Sequence, residues 1–264
     1  MGLIYFNVLE DIVQRTIASV GTVQRGLSSS QQPLVVGGMA TQLHALAYPQ
    51  LLRPTLDLDL TNCEDYSDFR DFSSKLGDPL LKEIRKRGYQ AQIKNGRLGY
   101  EIKVMNGQGD QAKELFFIHL DALPQPYREQ EKIETRERLR NAIILEVQGV
   151  PVYVTRMEDI IPRKLKRLRE KKKEMTDGDE LLESLHSYAE QGRWDTLSTI
   201  PLEEWATRIT ESQNDFTRNK VTRPPARYVV SKDCFDICLL SRVIEANPAK
   251  FNKAYYLAVK QKLE

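Results

Sequence analysis

Two aspartates stand two residues apart in a segment where apolar and polar residues alternate, Arg53-Pro-Thr-Leu-Asp-Leu-Asp-Leu60. Because successive side chains of a strand point to opposite faces, Asp57 and Asp59 should share one face and the leucines the other. Neighbouring carboxylates repel each other unless a cation lies between them or water screens them. Oxygen ligands of this kind suit Mg²⁺ or Mn²⁺, so the pattern predicts a divalent-metal site. A solvated outer strand face is the alternative interpretation.

A pair of glycines precedes the aspartates, in Leu34-Val-Val-Gly-Gly-Met39. The apolar residues predict a short buried strand, and Gly37-Gly38 predicts a turn that opens a helix running to about Tyr48. Backbone N–H groups at the start of such a helix can hold a phosphate. A Gly-Gly between a strand and a helix can also be a simple tight turn, so its meaning depends on the acids that follow.

Taken together, the two segments resemble the nucleotidyltransferase superfamily that shares the DNA polymerase β palm. The closer resemblance is to the minimal nucleotidyltransferases of the AbiEii-like and MenT-like toxin type, whose signature is Gly-Gly, a helix, then Arg-x-Thr-x-Asp-x-Asp. The positions that fill this signature in order are Gly37, Gly38, Arg53, Thr55, Asp57 and Asp59. The resemblance implies that the first four contact an NTP substrate and that the two aspartates hold the metal.

A third acid is expected on a later strand. Residues 114–122 alternate, which places Phe117, His119 and Asp121 on one face. Polymerase β-like palms carry a third carboxylate on such a strand, and the resemblance of Phe-Ile-His-Leu-Asp to it implies that Asp121 is this metal-binding or catalytic acid. A third carboxylate could complete a two-metal site or accept the proton of the attacking hydroxyl. A strand-end acid on the surface is the alternative.

A lysine lies on the inward side of the helix predicted after residue 155. Ile161, Leu165 and Leu168 form the apolar stripe, and Lys164 is three residues from the first and four from the last. The segment resembles the family pattern Leu-Ala-Glu-Lys-Leu-x-Ala-Leu, whose lysine faces the nucleotide, and this implies a nucleotide-binding and catalytic role for Lys164. The segment departs from the pattern at Arg163, where the family usually has an acid.

The family's next element is an aspartate some dozen residues on, in the pattern Lys/Arg-Asp-x-x-Asp-Leu. Glu174-Met-Thr-Asp-Gly-Asp-Glu-Leu181 is a loose version of it. Asp177 fits the spacing best, with Glu180 in the second acidic place, and Asp179 is the competitor; the resemblance implies a catalytic Asp177. The same residues could instead cap a helix over Glu180–Gln191 that ends at Gly192.

Composition limits the other classes to which this protein could belong. The chain has 264 residues and a net charge of +2, so it can bury a sizeable core but has no global field that attracts nucleic acid or a membrane. Three cysteines make an odd count, and no histidine lies near Cys234 and Cys238 to complete a zinc site, which favours a reducing compartment. Apolar stretches stay below the roughly 18 residues of a membrane span, so we expect a cytoplasmic protein without a membrane partner.

Positive charge is concentrated locally. Between Arg163 and Lys173, eight of eleven residues are Lys or Arg. Such a run is usually a solvated helix face, but beside a nucleotide site it also suits RNA phosphates. A second basic segment surrounds Pro224-Pro225 and contains Arg218, Lys220, Arg223 and Arg227. RNA is therefore the acceptor that we expect.

The predicted architecture is α+β. Strands are predicted at 90–94, 99–105, 114–122, 142–147 and 150–154, and strand-like alternation ends near residue 155. We therefore predict a polymerase β-like nucleotidyltransferase palm, a mixed sheet with flanking helices, over residues 1–154 and a helical C-terminal domain over 155–264.

The resemblance implies transfer of a nucleoside monophosphate from an NTP to RNA, such as a tRNA end, by the toxin of a toxin–antitoxin pair that has a cognate antitoxin protein. Two alternatives stay open. The first is nucleotidyl transfer to a protein hydroxyl or to a small molecule such as an aminoglycoside. The second is a non-catalytic RNA- or protein-binding module on the same fold.

Overall fold

The chain forms two compact units in the computed structural model. The residues described are 10–28, 31–53, 55, 57–62, 66, 68–95, 99–106, 113–121, 127–175, 179–218 and 224–264. The first unit contains Leu3–Leu43 and Pro54–Arg156, and the second contains His44–Arg53 and Met157–Glu264. The sequence placed a boundary at 154/155 and gave no sign that residues 44–53 group with the second unit.

A seven-stranded sheet forms the centre of the first unit, with strand order β3-β4-β5-β2-β1-β7-β6. Its strands are β1 Leu34–Val35, β2 Asp57–Thr61, β3 Gln90–Asn95, β4 Gly99–Asn106, β5 Lys113–Asp121, β6 Ile143–Val147 and β7 Val150–Val154. The pairs β2–β5 and β1–β7 are parallel and the other four are antiparallel, so the sheet is mixed, as predicted.

One face of the sheet is the core of this unit. Leu58 and Leu60 of β2 are fully buried on it, beside Ile118 and Leu120 of β5. The helices of this part of the chain are α1 Asp11–Gly26, α2 Gly37–His44, α3 Phe69–Phe72, α4 Asp78–Lys86 and α5 Tyr127–Arg140. Helix α1 packs on β7 and α4 packs on β3. The alternation that buries the leucines directs Asp57 and Asp59 to the opposite face.

The regular elements described in the second unit are helices and short 3₁₀ turns. The helices are α6 Met157–Lys172, α7 Glu180–Gln191, α8 Trp194–Thr199, α9 Leu202–Arg218, α10 Ala226–Ala246 and α11 Lys253–Leu263. Helix α10 packs against α6, α8 and α9, and it buries both Cys234 and Cys238 as free thiols. In the described part of the chain, no helix combines the length and the apolar character needed to cross a membrane.

Helix α7 has the limits that the sequence predicted, and its N-cap is Asp179. The helix runs over Glu180–Gln191 and ends at Gly192, which adopts the left-handed conformation with φ +68°. The capping carboxylate belongs to Asp179, which accepts a hydrogen bond from Leu182 N at 3.2 Å. The Asp179 carboxylate also forms an ion pair with Arg208, so both of its described contacts stabilise the start of α7. Asp177, which the resemblance implies is catalytic and which was alternatively a helix cap, lies outside the described residues.

Candidate active site

The two aspartates of β2 lie on the sheet face opposite the core. The burial of β2 alternates, with Leu58 and Leu60 at 0 % and 1 % exposure and both aspartates partly exposed. The side chain of Asp57 is 33 % exposed. A carboxylate with this access to water can accept a cation from solvent, because it has not paid the desolvation penalty of a buried ion.

Neighbouring side chains orient the carboxylate of Asp57. Thr55 Oγ1 donates a hydrogen bond to Asp57 Oδ1 at 3.3 Å. On the adjacent strand β5, His119 Nε2 lies 3.8 Å from Asp57 Oδ2, and His119 Nδ1 lies 3.8 Å from Glu101 Oε2 on β4. The imidazole of His119 therefore sits between two carboxylates that come from different strands.

Gly37 brings the start of α2 against the second aspartate. Strand β1 pairs antiparallel with β2, and the N–H of Val36 donates to the carbonyl of Asp59 at 3.0 Å. Gly37 follows with φ +67°, a left-handed conformation that glycine adopts readily. A Cβ at this position would lie 3.3 Å from Asp59 Cβ and would collide with Asp59 Oδ2. Both the backbone conformation and the close approach therefore require glycine here, and Gly38 is the next residue of α2.

Asp121 ends β5 on the strand beside the aspartate pair. The parallel register places Asp59 opposite His119, so Asp121 belongs to the same face two residues further along. Its side chain is outside the described part of the structure, and its role as a third acid stays a prediction. Among the side chains that the structure describes, no three His, Cys, Asp or Glu residues are grouped as a metal site. The Asp121 carboxylate is not among these described side chains.

Arg53 and Lys164, the two cations predicted to contact the nucleotide, lie in a buried ion network of the second unit. Arg53 donates from Nε and Nη2 to the two carboxylate oxygens of Asp236, each at 2.7 Å. Lys164 Nζ lies 2.6 Å from Asp236 and 3.0 Å from Asp233. Arg167 donates to Asp233 as well. The network joins α6, α10 and the segment His44–Arg53.

The network keeps two aspartates charged in the protein interior. Asp233 and Asp236 are 0 % and 1 % exposed. Burial raises the pKa of Asp236, but the charges of Arg53 and Lys164 outweigh burial and bring that pKa below its ordinary value. Burial likewise raises the pKa of Asp233, and Lys164 and Arg167 lower it by more, although Asp236 opposes them. The neighbouring cations therefore keep each of these two carboxylates ionised.

These two aspartates are the residues that sequence reasoning missed. The pattern sought near Asp177 occurs in a closer form at Lys232-Asp-Cys-Phe-Asp-Ile237, which departs from it in having Ile for Leu. A second signal was present as well, since Asp233 and Asp236 are charged residues three apart within an apolar helix, which indicates a buried cationic partner. In the family pattern the acid follows the lysine by about a dozen residues, whereas in this chain Asp233 lies 69 residues after Lys164.

A solved structure resembles the fold of this chain weakly. It is described as an antigenic nucleotidyltransferase-like protein from Paracoccidioides brasiliensis, with 18 % sequence identity, a TM-score of 0.42, and coverage of 63 % of this chain and 70 % of that one. No family model matches the chain, and no curated protein matches it. At this identity and TM-score the likeness assigns neither a family nor a substrate.

The basic run of α6 is largely engaged with acids of the second unit. Besides the two residues in the buried network, the pairs are Arg169 with Glu190, Lys171 with Glu174, and Lys172 with Glu183. The pairs of Lys171 and Lys172 are exposed, and exposed pairs contribute little to stability and are screened by salt. These two lysines can therefore exchange a carboxylate for a phosphate. In the second basic segment, residues 219–223 lie outside the described residues.

Proposed function

We propose that this chain is a metal-dependent nucleotidyltransferase, which moves a nucleoside monophosphate from an NTP to an acceptor and releases pyrophosphate. The contact between Gly37 and Asp59 carries the proposal. It joins a helix start, where backbone N–H groups can hold phosphates, to one of two carboxylates on a partly exposed strand face. Triphosphate binding and charge neutralisation would then occur at adjacent atoms.

The donor set fits Mg²⁺ or Mn²⁺. Asp57 and Asp59 supply hard oxygen ligands from one face of a strand, with Asp121 as a further candidate on the neighbouring strand. An ion held there would neutralise charge on the phosphates of the NTP during transfer. The Thr55 hydroxyl, bonded to Asp57, would keep that carboxylate in a fixed orientation.

The remaining residues of the prediction have narrower roles. Gly37 and Gly38 would let the triphosphate approach the backbone, and Asp121 or Asp177 would accept the proton of the attacking hydroxyl. Arg53 and Lys164 stay predicted nucleotide contacts. An ammonium has three donors, and Lys164 directs two of them to Asp233 and Asp236, which leaves capacity for a third acceptor.

We take RNA, such as a tRNA end, as the acceptor, and a toxin paired with a cognate antitoxin as the biological setting. The support for RNA is the basic run of α6, where exposed cations such as Lys166 could meet phosphates. The toxin role rests on the resemblance of the Gly-Gly and Asp-x-Asp motifs alone.

Transfer from α-labelled ATP, CTP, GTP and UTP, each with Mg²⁺, into total cellular RNA and protein tests this function. The matched variants are Asp57→Asn and Glu146→Gln, which remove one carboxylate charge from a partly exposed position on β2 and an exposed position on β6 of the same sheet. We expect label in RNA with the wild type and with Glu146→Gln, and none with Asp57→Asn. Full activity of Asp57→Asn would refute the mechanism.

The two alternatives predict different outcomes. Label that survives RNase and enters protein, or that appears in a small molecule, would change the acceptor but keep the enzyme. A binding module would give no label in any fraction and would show no Mg²⁺-dependent binding of an NTP. Because both readouts use the same preparation, one experiment separates the three functions.

A further inference from the structure

The sheet face that carries Asp57 and Asp59 continues across β5, β4 and β3. The strand registers place two rows of side chains on it, each row crossing the four strands. From β3 to β2 the rows are Gln92, Lys103, Phe117 and Asp57, and then Lys94, Glu101, His119 and Asp59. The lysines lie on β3 and β4, the rings on β5, and the aspartates on β2. The first row passes from the ammonium of Lys103 through the Phe117 ring to Asp57. The second passes from Lys94 through the carboxylate of Glu101 and the His119 ring to Asp59.

The two rings of β5 form what we name the aromatic platform, Phe117 and His119. Their centroids are 6.0 Å apart and their planes differ by 10°. Both side chains are partly exposed, although an aromatic ring on a sheet usually lies in a core. Flat, accessible rings beside positive charge are the features with which sheet surfaces stack the bases of single-stranded RNA.

Positive charge borders the platform. The ammonium of Lys103 lies 4.9 Å from the centroid of the Phe117 ring. Burial and the neighbouring Lys94 lower the pKa of Lys103, which Glu101 partly opposes. A phosphate that approaches both ammonium groups, those of Lys94 and Lys103, would relieve the repulsion between them. The flexible stem of Lys103 can follow that phosphate and leave the ring face to a base.

The position of Gly37 determines the side from which an acceptor would arrive. Strand β2 has β1 on one side and β5 on the other. Gly37, two residues after the end of β1, lies against Asp59, so the proposed triphosphate lies on the β1 side. In phosphoryl transfer the attacking and leaving oxygens are roughly in line on opposite sides of the phosphorus. The attacking hydroxyl would therefore come from the β5 side, where the platform lies.

We propose that the aromatic platform binds the single-stranded 3′ end of the RNA acceptor, with a base stacked on Phe117, a phosphate beside Lys94 and Lys103, and the terminal hydroxyl directed to Asp57. This inference rests on the proposed RNA acceptor and adds the surface that receives it. Two strand spacings, roughly 10 Å, separate β4 from β2, which is room for one stacked nucleotide.

The test is the binding of a single-stranded RNA of about ten nucleotides that carries fluorescein and a free 3′ hydroxyl. Fluorescence anisotropy measures this binding in the absence of NTP and divalent ions. Phe117→Ala removes the ring and Phe117→Tyr keeps it. Ile144→Ala, at a more exposed apolar residue on the edge strand β6, controls for loss of surface hydrophobicity. We expect Phe117→Ala to weaken binding about tenfold, Phe117→Tyr to stay within about twofold, and Ile144→Ala to match the wild type.

The salt dependence adds a second readout. Lys94→Gln should reduce the slope of log affinity against log salt by about one if Lys94 contacts a phosphate. Equal RNA affinity of Phe117→Ala and wild type overturns the inference, and so does a wild type that does not bind the RNA. Because the assay contains no NTP, Phe117-dependent binding would support the surface even if the transfer reaction itself were not found.

Steady-state kinetics of the transfer reaction show whether a base of the RNA acceptor or the base of the NTP donor stacks on Phe117. With Phe117→Ala we expect KM for RNA to rise about tenfold while KM for the NTP stays unchanged. A rise confined to KM for the NTP would place the donor base on Phe117 and would overturn the inference.

Discussion

Each unit of the molecule holds a pair of aspartates, and the two pairs have opposite environments. Asp233 and Asp236 lie on a helix, are at most 1 % exposed, and contact three cations. Asp57 and Asp59 lie on a strand, and the Asp57 side chain is 33 % exposed. The contacts described for the Asp57 carboxylate come from a hydroxyl and an imidazole, neither of which is a permanent cation.

This difference separates a structural charge from a charge that can do chemistry. A buried carboxylate whose neutralising partners are built into the chain is committed to them, because removing a partner leaves an uncompensated charge in the interior. A carboxylate that keeps contact with water can exchange its partner, as binding of metal and substrate requires. The following predictions test this contrast, beginning with the largest expected effect.

Asp57→Asn should abolish chemistry and spare the fold. Loss of one ligand of a phosphoryl-transfer site is expected to lower kcat/KM about 10³-fold or more, which corresponds to roughly 4 kcal/mol of barrier. The free energy of unfolding should stay within about 0.5 kcal/mol of the wild type, since the site is partly exposed and a like-charge repulsion is relieved. Label transfer and urea unfolding of one preparation give both values. A large loss of stability would place Asp57 in the structural class.

Asp236→Asn should mainly affect stability, with a loss of about 3–5 kcal/mol in unfolding free energy, because Arg53 and Lys164 are left buried without their shared anion. Urea unfolding measures this loss. The double variant Arg53→Met, Asp236→Leu removes one cation and one anion together and should be more stable than Asp236→Asn. If the double variant is the less stable of the two, burial of uncompensated charge is not the cause.

The stability of the wild type should depend on pH in the acid range. The pKa values of Asp233 and Asp236 are lowered in the folded state relative to an unfolded value of about 3.9. Groups with depressed pKa values stabilise the fold above the unfolded pKa, and this stabilisation is lost as pH falls through the folded pKa.

The free energy of unfolding attributable to these groups should therefore be constant from pH 7 to about pH 5 and should fall below about pH 4, by up to about 1.4 kcal/mol per pH unit for each group. Urea titrations at pH 7, 5, 4 and 3 measure it. Asp236→Asn should flatten the decline, and Asp195→Asn at an exposed position should not. Equal declines in all three proteins would contradict the assignment.

Gly37→Ala should lose more unfolding free energy than Gly149→Ala, because only the first variant places a Cβ against Asp59. Both glycines have similar left-handed φ angles, +67° and +71°. A Cβ at Gly149 would meet nothing within 4 Å, whereas one at Gly37 would press on Asp59. Gly149→Ala should therefore lose only the backbone term of about 1–2 kcal/mol in unfolding free energy. Gly37→Ala should lose more and should also lower transferase activity. Equal stability losses with unchanged activity would argue against the close approach.

Local patterns predicted the parts of the fold that depend on neighbouring residues. The alternation of Leu and Asp in β2 and the limits of α7 at Glu180 and Gly192 were readable because the physical cause of each lies within a few residues. The Gly-Gly turn and the aspartate pair were readable as two separate motifs, and the structure adds the strand pairing that brings Gly37 against Asp59.

The ion network could not be predicted in this way. Arg53 and Asp236 are 183 residues apart, and no periodic pattern records which cation meets which buried acid across such a separation. The sequence therefore indicated Lys164 as an inward cation in need of an anion but could not identify Asp233 and Asp236. It also gave no hint that residues 44–53 leave the first unit, because that grouping depends on where their distant partners lie.

The excursion of residues 44–53 has a consequence for modularity. Between Gly37 and Thr55 the chain leaves the sheet unit, contributes Arg53 to the helical unit and returns, so the linear signature Gly-Gly to Asp-x-Asp is interrupted by a part of the other unit. A gene fragment that encodes residues 1–156 would still encode Arg53 but would lack Asp236. Recombination at one junction cannot exchange the helical unit cleanly, and the two units are expected to be inherited together.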